Sequence, residues 1–171
     1  MTASPTPPTS TDTAAATDPD ADWLRLDNQI CFSLNAASRA FNRVYRVVLK
    51  DLGLTYPQYL VMLVLWEQGD APVKTLGERL RLDSGTLSPL VKRLETAGLV
   101  RRERSAQDER SVWVRLTDEG AALRGQALRV PRRIAAATGF DLTEITDLHN
   151  RLDRLTRSLD AASLDETPGC A

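Results

Sequence analysis

Apolar residues recur at helical spacing from Trp23 to about Lys50, at Leu26, Ile30, Leu34, Ala37, Phe41, Val44 and Val48. That period predicts a long amphipathic helix. Leu52-Gly53-Leu54 ends it, with Gly53 as a left-handed stop. Thr55 is placed to cap the next helix, and Pro57 is tolerated in its first turn. That helix reaches about Glu67 and is apolar almost throughout, so it belongs in the core. After the break at Gln68-Gly69-Asp70, Val73, Leu76 and Leu80 share one face of a short helix. Arg81-Leu82-Asp83 turns the chain, and Asp83 or Ser84 can cap a second helix running to Thr96. Two helices joined by so tight a turn predict a helix-turn-helix. Pro89 lacks a backbone donor and is expected to disturb the first turns of the second helix.

Beyond Gly98 the period changes. Leu99 to Arg104 and Ser111 to Leu116 are strand candidates; in the second, Val112, Val114 and Leu116 alternate with Ser111, Trp113 and Arg115. A β-hairpin directly after a helix-turn-helix is a wing. Thr117 can cap a further helix with an acidic first turn, Asp118 and Glu119, which suits the helix dipole. Pro131 is expected to kink it, and Gly139 to break it. Leu142, Ile145, Leu148, Leu152, Leu155 and Leu159 then form a regular stripe. The predicted fold is therefore mainly α with a small β-hairpin wing: a winged helix-turn-helix flanked by long N- and C-terminal helices. Those two stripes exceed what one small winged domain covers. A symmetric dimer with interdigitated terminal helices is the economical solution; packing both helices inside one monomer is the alternative.

Composition adds the boundaries. Residues 1–22 carry Asp12, Asp18, Asp20 and Asp22 and no base among Thr, Ser, Pro and Ala, so they are expected to be a disordered tail. Residues 23–162 form the predicted domain, and 163–171 a short flexible tail. The net charge of −1 hides a segregation: residues 74–115 carry ten basic against six acidic side chains. A basic centre fits a protein that neutralises phosphates on one face, although a charge cluster of this size is also ordinary solvated surface. No apolar run approaches the ~20 residues of a membrane span, and no secretory signal is visible. Two cysteines, Cys31 and the penultimate Cys170, make no disulfide framework, so a reducing cytoplasm is the expected location.

The candidate chemistry is sparse. No His, Cys or carboxylate cluster has metal-ligand spacing, no cofactor motif is present, and His149 is expected to decorate the C-terminal helix. Helix 84–96 is the candidate for the major groove of double-stranded DNA. Ser84, Thr86 and Ser88 offer short hydroxyl contacts, and Lys92 and Arg93 are placed for the backbone. Arg101, Arg102 and Arg104 are phosphate neutralisers or merely solvated. Cys31 lies early in the first helix, and an isolated cysteine on an apolar helix face is ordinarily inert. Its neighbours do little to activate it. It is expected about two turns inside the helix, where the dipole has faded; Asp27 opposes a thiolate, and no Lys or Arg lies within four residues.

Four motifs change that balance: Leu26-Asp27-Asn28-Gln29-Ile30-Cys31-Phe32, Leu54-Thr55-Tyr56-Pro57-Gln58-Tyr59-Leu60, Leu82-Asp83-Ser84-Gly85-Thr86-Leu87-Ser88-Pro89-Leu90 and Asp108-Glu109-Arg110-Ser111-Val112. With the order of elements, they resemble the MarR family of bacterial regulators over residues 23–162, and within it the organic-hydroperoxide sensors of the OhrR group. The resemblance implies a homodimeric winged-helix repressor on a pseudo-palindromic operator, released when the first-helix cysteine is oxidised by an organic hydroperoxide. It implies redox-sensing roles for Cys31, Tyr45 and Tyr56, the tyrosine hydroxyls assisting the thiolate, and a wing-tip role for Asp108 and Arg110, with Arg110 aimed at the minor groove. Tyr45 follows Cys31 by fourteen residues on the same helix, about 21 Å at ~1.5 Å per residue. A Tyr45 that assists Cys31 must therefore come from the other subunit. Asn35 stands where related sequences can carry an aromatic, and no cysteine occurs near Ala135–Ala137, where two-cysteine relatives carry a resolving thiol. Oxidised Cys31 is then expected to be resolved by a low-molecular-weight thiol, with Cys170 incidental. The rival readings are a MarR-type repressor released by a small phenolic ligand, with Cys31 inert, and a thiol peroxidase. The second is disfavoured because it leaves the wing and helix-turn-helix without a purpose.

Overall fold

The computed structural model describes residues 21–104 and 111–162. Of the tail expected at 1–22, residues 1–20 lie outside the described residues, as do the tail expected at 163–171, which includes Cys170, and Asp108 and Arg110; Ala21 and Asp22 instead belong to a 3₁₀ turn. The described residues divide into two compact units, one up to Ala40 and one from Phe41 onward.

In the first unit, two 3₁₀ turns, Ala21–Leu24 and Leu26–Asn28, precede the first α-helix, α1, Ile30–Val48, which continues into the second unit. The sequence pattern placed the start of this helix at Trp23; the α-helix begins seven residues later. The Asn28 side-chain amide donates to the Asp22 carbonyl at 2.7 Å, and that of Gln29 donates to the Trp23 carbonyl and to the Arg25 carbonyl. These side chains occupy carbonyls that an α-helical ladder needs, which favours tight turns here. Trp23, Leu26 and Ile30 are exposed.

The second unit holds the core. After Lys50–Leu52, a 3₁₀ turn stopped by Gly53 at φ 65°, α2 spans Tyr56–Gln68. Gln58 is buried, and its side-chain oxygen accepts from the Thr55 backbone N–H and hydroxyl, both at 2.9 Å. Val61, Met62 and Leu65 of α2 are fully enclosed. A two-residue strand β1, Ala71–Pro72, leads into α3, Val73–Leu80, and α4, Ser84–Thr96. Leu76, Leu87, Val91 and Leu94 carry these two helices into the core. Their turn is close: a Cβ on Gly77 would lie 2.9 Å from the Leu82 carbonyl oxygen, and Arg81 takes a left-handed conformation at φ 53°. Pro89 does not disturb α4, which is continuous. The bond it forgoes is that to the carbonyl of Gly85, an exposed residue open to water.

Strands β2, Val100–Arg104, and β3, Val112–Leu116, pair antiparallel from Val100↔Leu116 to Arg104↔Val112. β1 joins the far side of β3 through Ala71↔Val114, giving the order β1-β3-β2. Thr117 caps α5, Asp118–Ala127, by accepting from the Gly120 N–H at 3.0 Å. The chain then breaks at Leu128–Arg129 before α6, Val130–Thr138. The break precedes Pro131 because its ring excludes the carbonyl four residues back, that of Ala127, where α5 ends. α7, Leu142–Ala161, is capped reciprocally by Asp141 and Glu144 and buries no residue. No helix among the described residues is long and apolar enough to cross a membrane.

Candidate functional site

The helix-turn-helix presents α4 outward. Its buried positions, Leu87, Val91 and Leu94, lie on one side, and Ser84, Thr86, Ser88, Lys92 and Arg93 are all exposed. The five residues that the sequence offered as DNA-contact candidates are thus all open on one helix. Asp83 fixes its start: one carboxylate oxygen accepts from the Thr86 N–H at 2.9 Å, the other from the Thr86 hydroxyl at 2.9 Å. Those bonds, the backbone one foremost, hold the Asp83 carboxyl below its usual range. The Thr86 hydroxyl proton is thereby committed to Asp83, leaving an oxygen as its free face.

Arg101, Arg102 and Arg115 of the wing are engaged in ion pairs. Arg102 on β2 donates its backbone N–H to one oxygen of Glu95 at 3.0 Å and its Nε to the other at 2.8 Å, with Nη2 2.7 Å away. Bonding from Arg102 holds the Glu95 carboxyl low against the opposing effect of burial. Arg101 pairs with Glu103 at 2.9 Å. Arg115 bridges Asp70 at 2.6 Å and Glu103 at 2.7 Å, the latter an ion pair without hydrogen-bond alignment. Of the side chains read as phosphate neutralisers or solvated groups, Arg101 is exposed and paired within the wing, and Arg102 is paired with Glu95 of α4.

The thiol lies in the first unit. Cys31 is exposed and is the second residue of α1. The two helical turns expected before it are the 3₁₀ segment, so the positive end of the helix dipole falls at Cys31 rather than far upstream. In the second unit the rings of Tyr45 and Tyr56 lie together at a centroid distance of 4.3 Å. Tyr59, which the sequence reading passed over, joins them 6.1 Å from Tyr45 and continues to Trp66 at 6.2 Å. Its position three residues after Tyr56, on the same helical face, was the available signal. Burial above all, with Tyr56 and Tyr59 adding to it, pushes the Tyr45 phenol up to about 12. Burial also pushes Tyr59 up. Among the described residues no group of three or more His, Cys, Asp or Glu could hold a metal ion.

A helix-turn-helix with an exposed second helix, followed by a β-hairpin that β1 extends to a three-stranded sheet, defines a winged-helix transcriptional regulator. A family model described as transcriptional regulator SarA/Rot matches residues 43–124. The HTH-type transcriptional regulator TtmR of Methylorubrum extorquens is 49% identical over 136 residues, 80% of this chain and 70% of that protein. The organic hydroperoxide resistance transcriptional regulator of Bacillus subtilis is 44% identical over 138 residues, 81% of this chain and 94% of that protein. The solved structure of reduced AbfR bound to DNA matches with a TM-score of 0.69 and 36% identity, covering 82% of this chain and 98% of that one; AbfR comes from Staphylococcus epidermidis. The chain belongs to the MarR family of transcriptional regulators.

Proposed function

We propose that this regulator is a homodimeric repressor that holds a pseudo-palindromic operator and lets go when an organic hydroperoxide oxidises Cys31. The observation that carries the reading is the exposed thiol at the second position of α1. The similarity to the Bacillus subtilis organic hydroperoxide resistance regulator supports it.

The reaction is attack of the Cys31 thiolate on one peroxide oxygen. An S–O bond forms, the O–O bond breaks, and the alkoxide leaves and takes a proton to become the alcohol. Sulfur loses two electrons to the peroxide and becomes a sulfenic acid. A low-molecular-weight thiol then condenses with it, releasing water and leaving a mixed disulfide. Tyr45 and Tyr56 serve as hydroxyl donors to the thiolate. A Tyr45 phenol pushed up to about 12 stays protonated near neutral pH, as a donor must. The fourteen-residue separation along one helix requires that Tyr45 belong to the partner subunit.

On DNA, α4 enters the major groove with Ser84, Thr86 and Ser88 towards base edges, and Lys92 and Arg93 towards phosphates. Asp108 and Arg110 act at the wing tip, Arg110 in the minor groove. The uncovered apolar residues of α7 supply the dimer contact.

A gel-shift series on a duplex selected by this protein from a random pool tests the reading. Cumene hydroperoxide is expected to release the DNA at a lower dose than hydrogen peroxide, and salicylate to leave it bound. Release by salicylate alone would favour a ligand-responsive repressor with an inert Cys31.

A further inference from the structure

We propose that Glu95 is a positioning residue that locks the wing onto the reading helix, and that Arg102 is the wing's half of this clamp rather than a phosphate contact. The inference rests on the DNA-reading function proposed above and assigns work within it.

The geometry is specific. β2 is an edge strand of the sheet, so some of its backbone N–H groups point away from β3. The N–H of Arg102 is one of these, and Glu95, in the last turn of α4, accepts it at 3.0 Å. The second carboxylate oxygen takes Nε of the same residue at 2.8 Å and lies 2.7 Å from Nη2. One carboxylate therefore accepts two hydrogen bonds from a single residue, from its backbone N–H and its Nε, with Nη2 in ion-pair contact, which fixes orientation as well as distance. The side chains are 34% exposed for Glu95 and 39% for Arg102, so solvent screens the charge of the pair and the hydrogen-bond geometry carries the clamp. The register carries the constraint across the wing: Arg102 pairs with Val114, which is fully buried, so the clamp and the core meet on the same rung of the sheet.

The consequence concerns recognition. Between α3, α4 and the wing lies a cleft of about 510 Å³ with Ser84, Ser88, Arg102 and Ser111 in its lining. Its width sets how far the helix in the major groove stands from the hairpin beside it. Glu95 sets that width at one end. An arginine bound in this way has its guanidinium committed, so it releases no counterion when DNA binds. Arg93, exposed on α4, is the contrasting case.

The two roles separate in the salt dependence of binding, because each phosphate contact contributes about 0.9 to the slope of log affinity against log salt. The experiment is fluorescence anisotropy of the full chain on the selected duplex over a range of potassium chloride. E95Q and R102Q are each expected to weaken binding about tenfold with an unchanged slope. The double variant should be no weaker than either single one. R93A should weaken binding and reduce the slope by about one. A slope lowered by about one in R102Q, or additive losses in the double variant, overturns the proposal. Failure of the wild type to bind any duplex overturns the DNA-reading function, and this inference with it. Hydrogen exchange of the free protein provides a measurement independent of DNA. In E95A the Arg102 amide should lose protection while that of Leu94 keeps it; loss at both sites would assign Glu95 to general stability and refute the clamp.

Discussion

Tyr45 near the end of α1 and Tyr56 at the start of α2 stack with ring centroids 4.3 Å apart and planes tilted by 31°. All three tyrosines of the chain lie in this one cluster, Tyr59 completing it.

The cluster has a signature in alkali. The Tyr45 phenol is pushed up to about 12 from an ordinary value of 10.0, so the folded state holds its proton more tightly than the unfolded chain. Its contribution to stability is therefore complete below pH 10.0 and is lost as pH rises through about 12. Tyrosinate ultraviolet absorbance should show a late step near pH 12 that disappears in Tyr45→Phe. The fall in thermal midpoint over the same interval should be shallower in that variant. A titration in which Tyr45→Phe leaves the latest step in place contradicts this assignment.

The seam between α5 and the wing depends on a missing side chain. A Cβ on Gly120 would lie 2.0 Å from the Leu99 carbonyl oxygen, backbone that cannot swing aside, and the Gly120 carbonyl accepts from Trp66 Nε1 at 2.8 Å. Gly120→Ala should therefore destabilise the fold by about 3 kcal/mol in urea unfolding. Gly125, exposed on the same helix, has nothing within 4 Å of its virtual Cβ. Gly125→Ala should stabilise by roughly 0.5–1 kcal/mol. Equal midpoints for the two variants would contradict the packing described.

Dimerisation through α7 is testable without DNA. Leu148 and Leu152 stand one turn apart, each 39% exposed, on a helix that buries nothing within its own chain. Sedimentation equilibrium should find the wild type dimeric at micromolar concentration. The double variant Leu148→Glu, Leu152→Glu should be monomeric, since carboxylates in an apolar seam are desolvated without a partner. A double variant that remains dimeric would place the interface elsewhere.

Much of this architecture was legible because helices announce themselves through spacing. The apolar run of α2, the stripe of α7 and the alternation of Val112, Val114 and Leu116 all led to the observed elements. The capping positions Asp83 and Thr117 were legible for the same reason: short oxygen-bearing side chains stand just before helical periods. The misses have a different origin. β1 is two residues long and contains Pro72, so it carries no period and exists only by pairing with β3. The start of α1 was misjudged because Asn28 and Gln29 bind backbone carbonyls six residues earlier, which an apolar count ignores. The Glu95–Arg102 clamp joins a helix end to a strand across a turn, and no local spacing rule reports such a meeting. Tyr45 and Tyr56 were drawn from family likeness; their contact depends on how α1 and α2 cross, which neither helix encodes alone.

In the proposed function, oxidation of one sulfur frees the DNA. The most direct measurement is anisotropy of the selected duplex bound to wild-type protein and to Cys31→Ser during titration with cumene hydroperoxide, with the sulfur state of each sample read by intact mass. Wild-type protein should leave the duplex in step with modification of Cys31, while Cys31→Ser should bind equally well at the outset and stay bound throughout. A Cys31→Ser protein that lets go at the same dose as the wild type would contradict the proposed function.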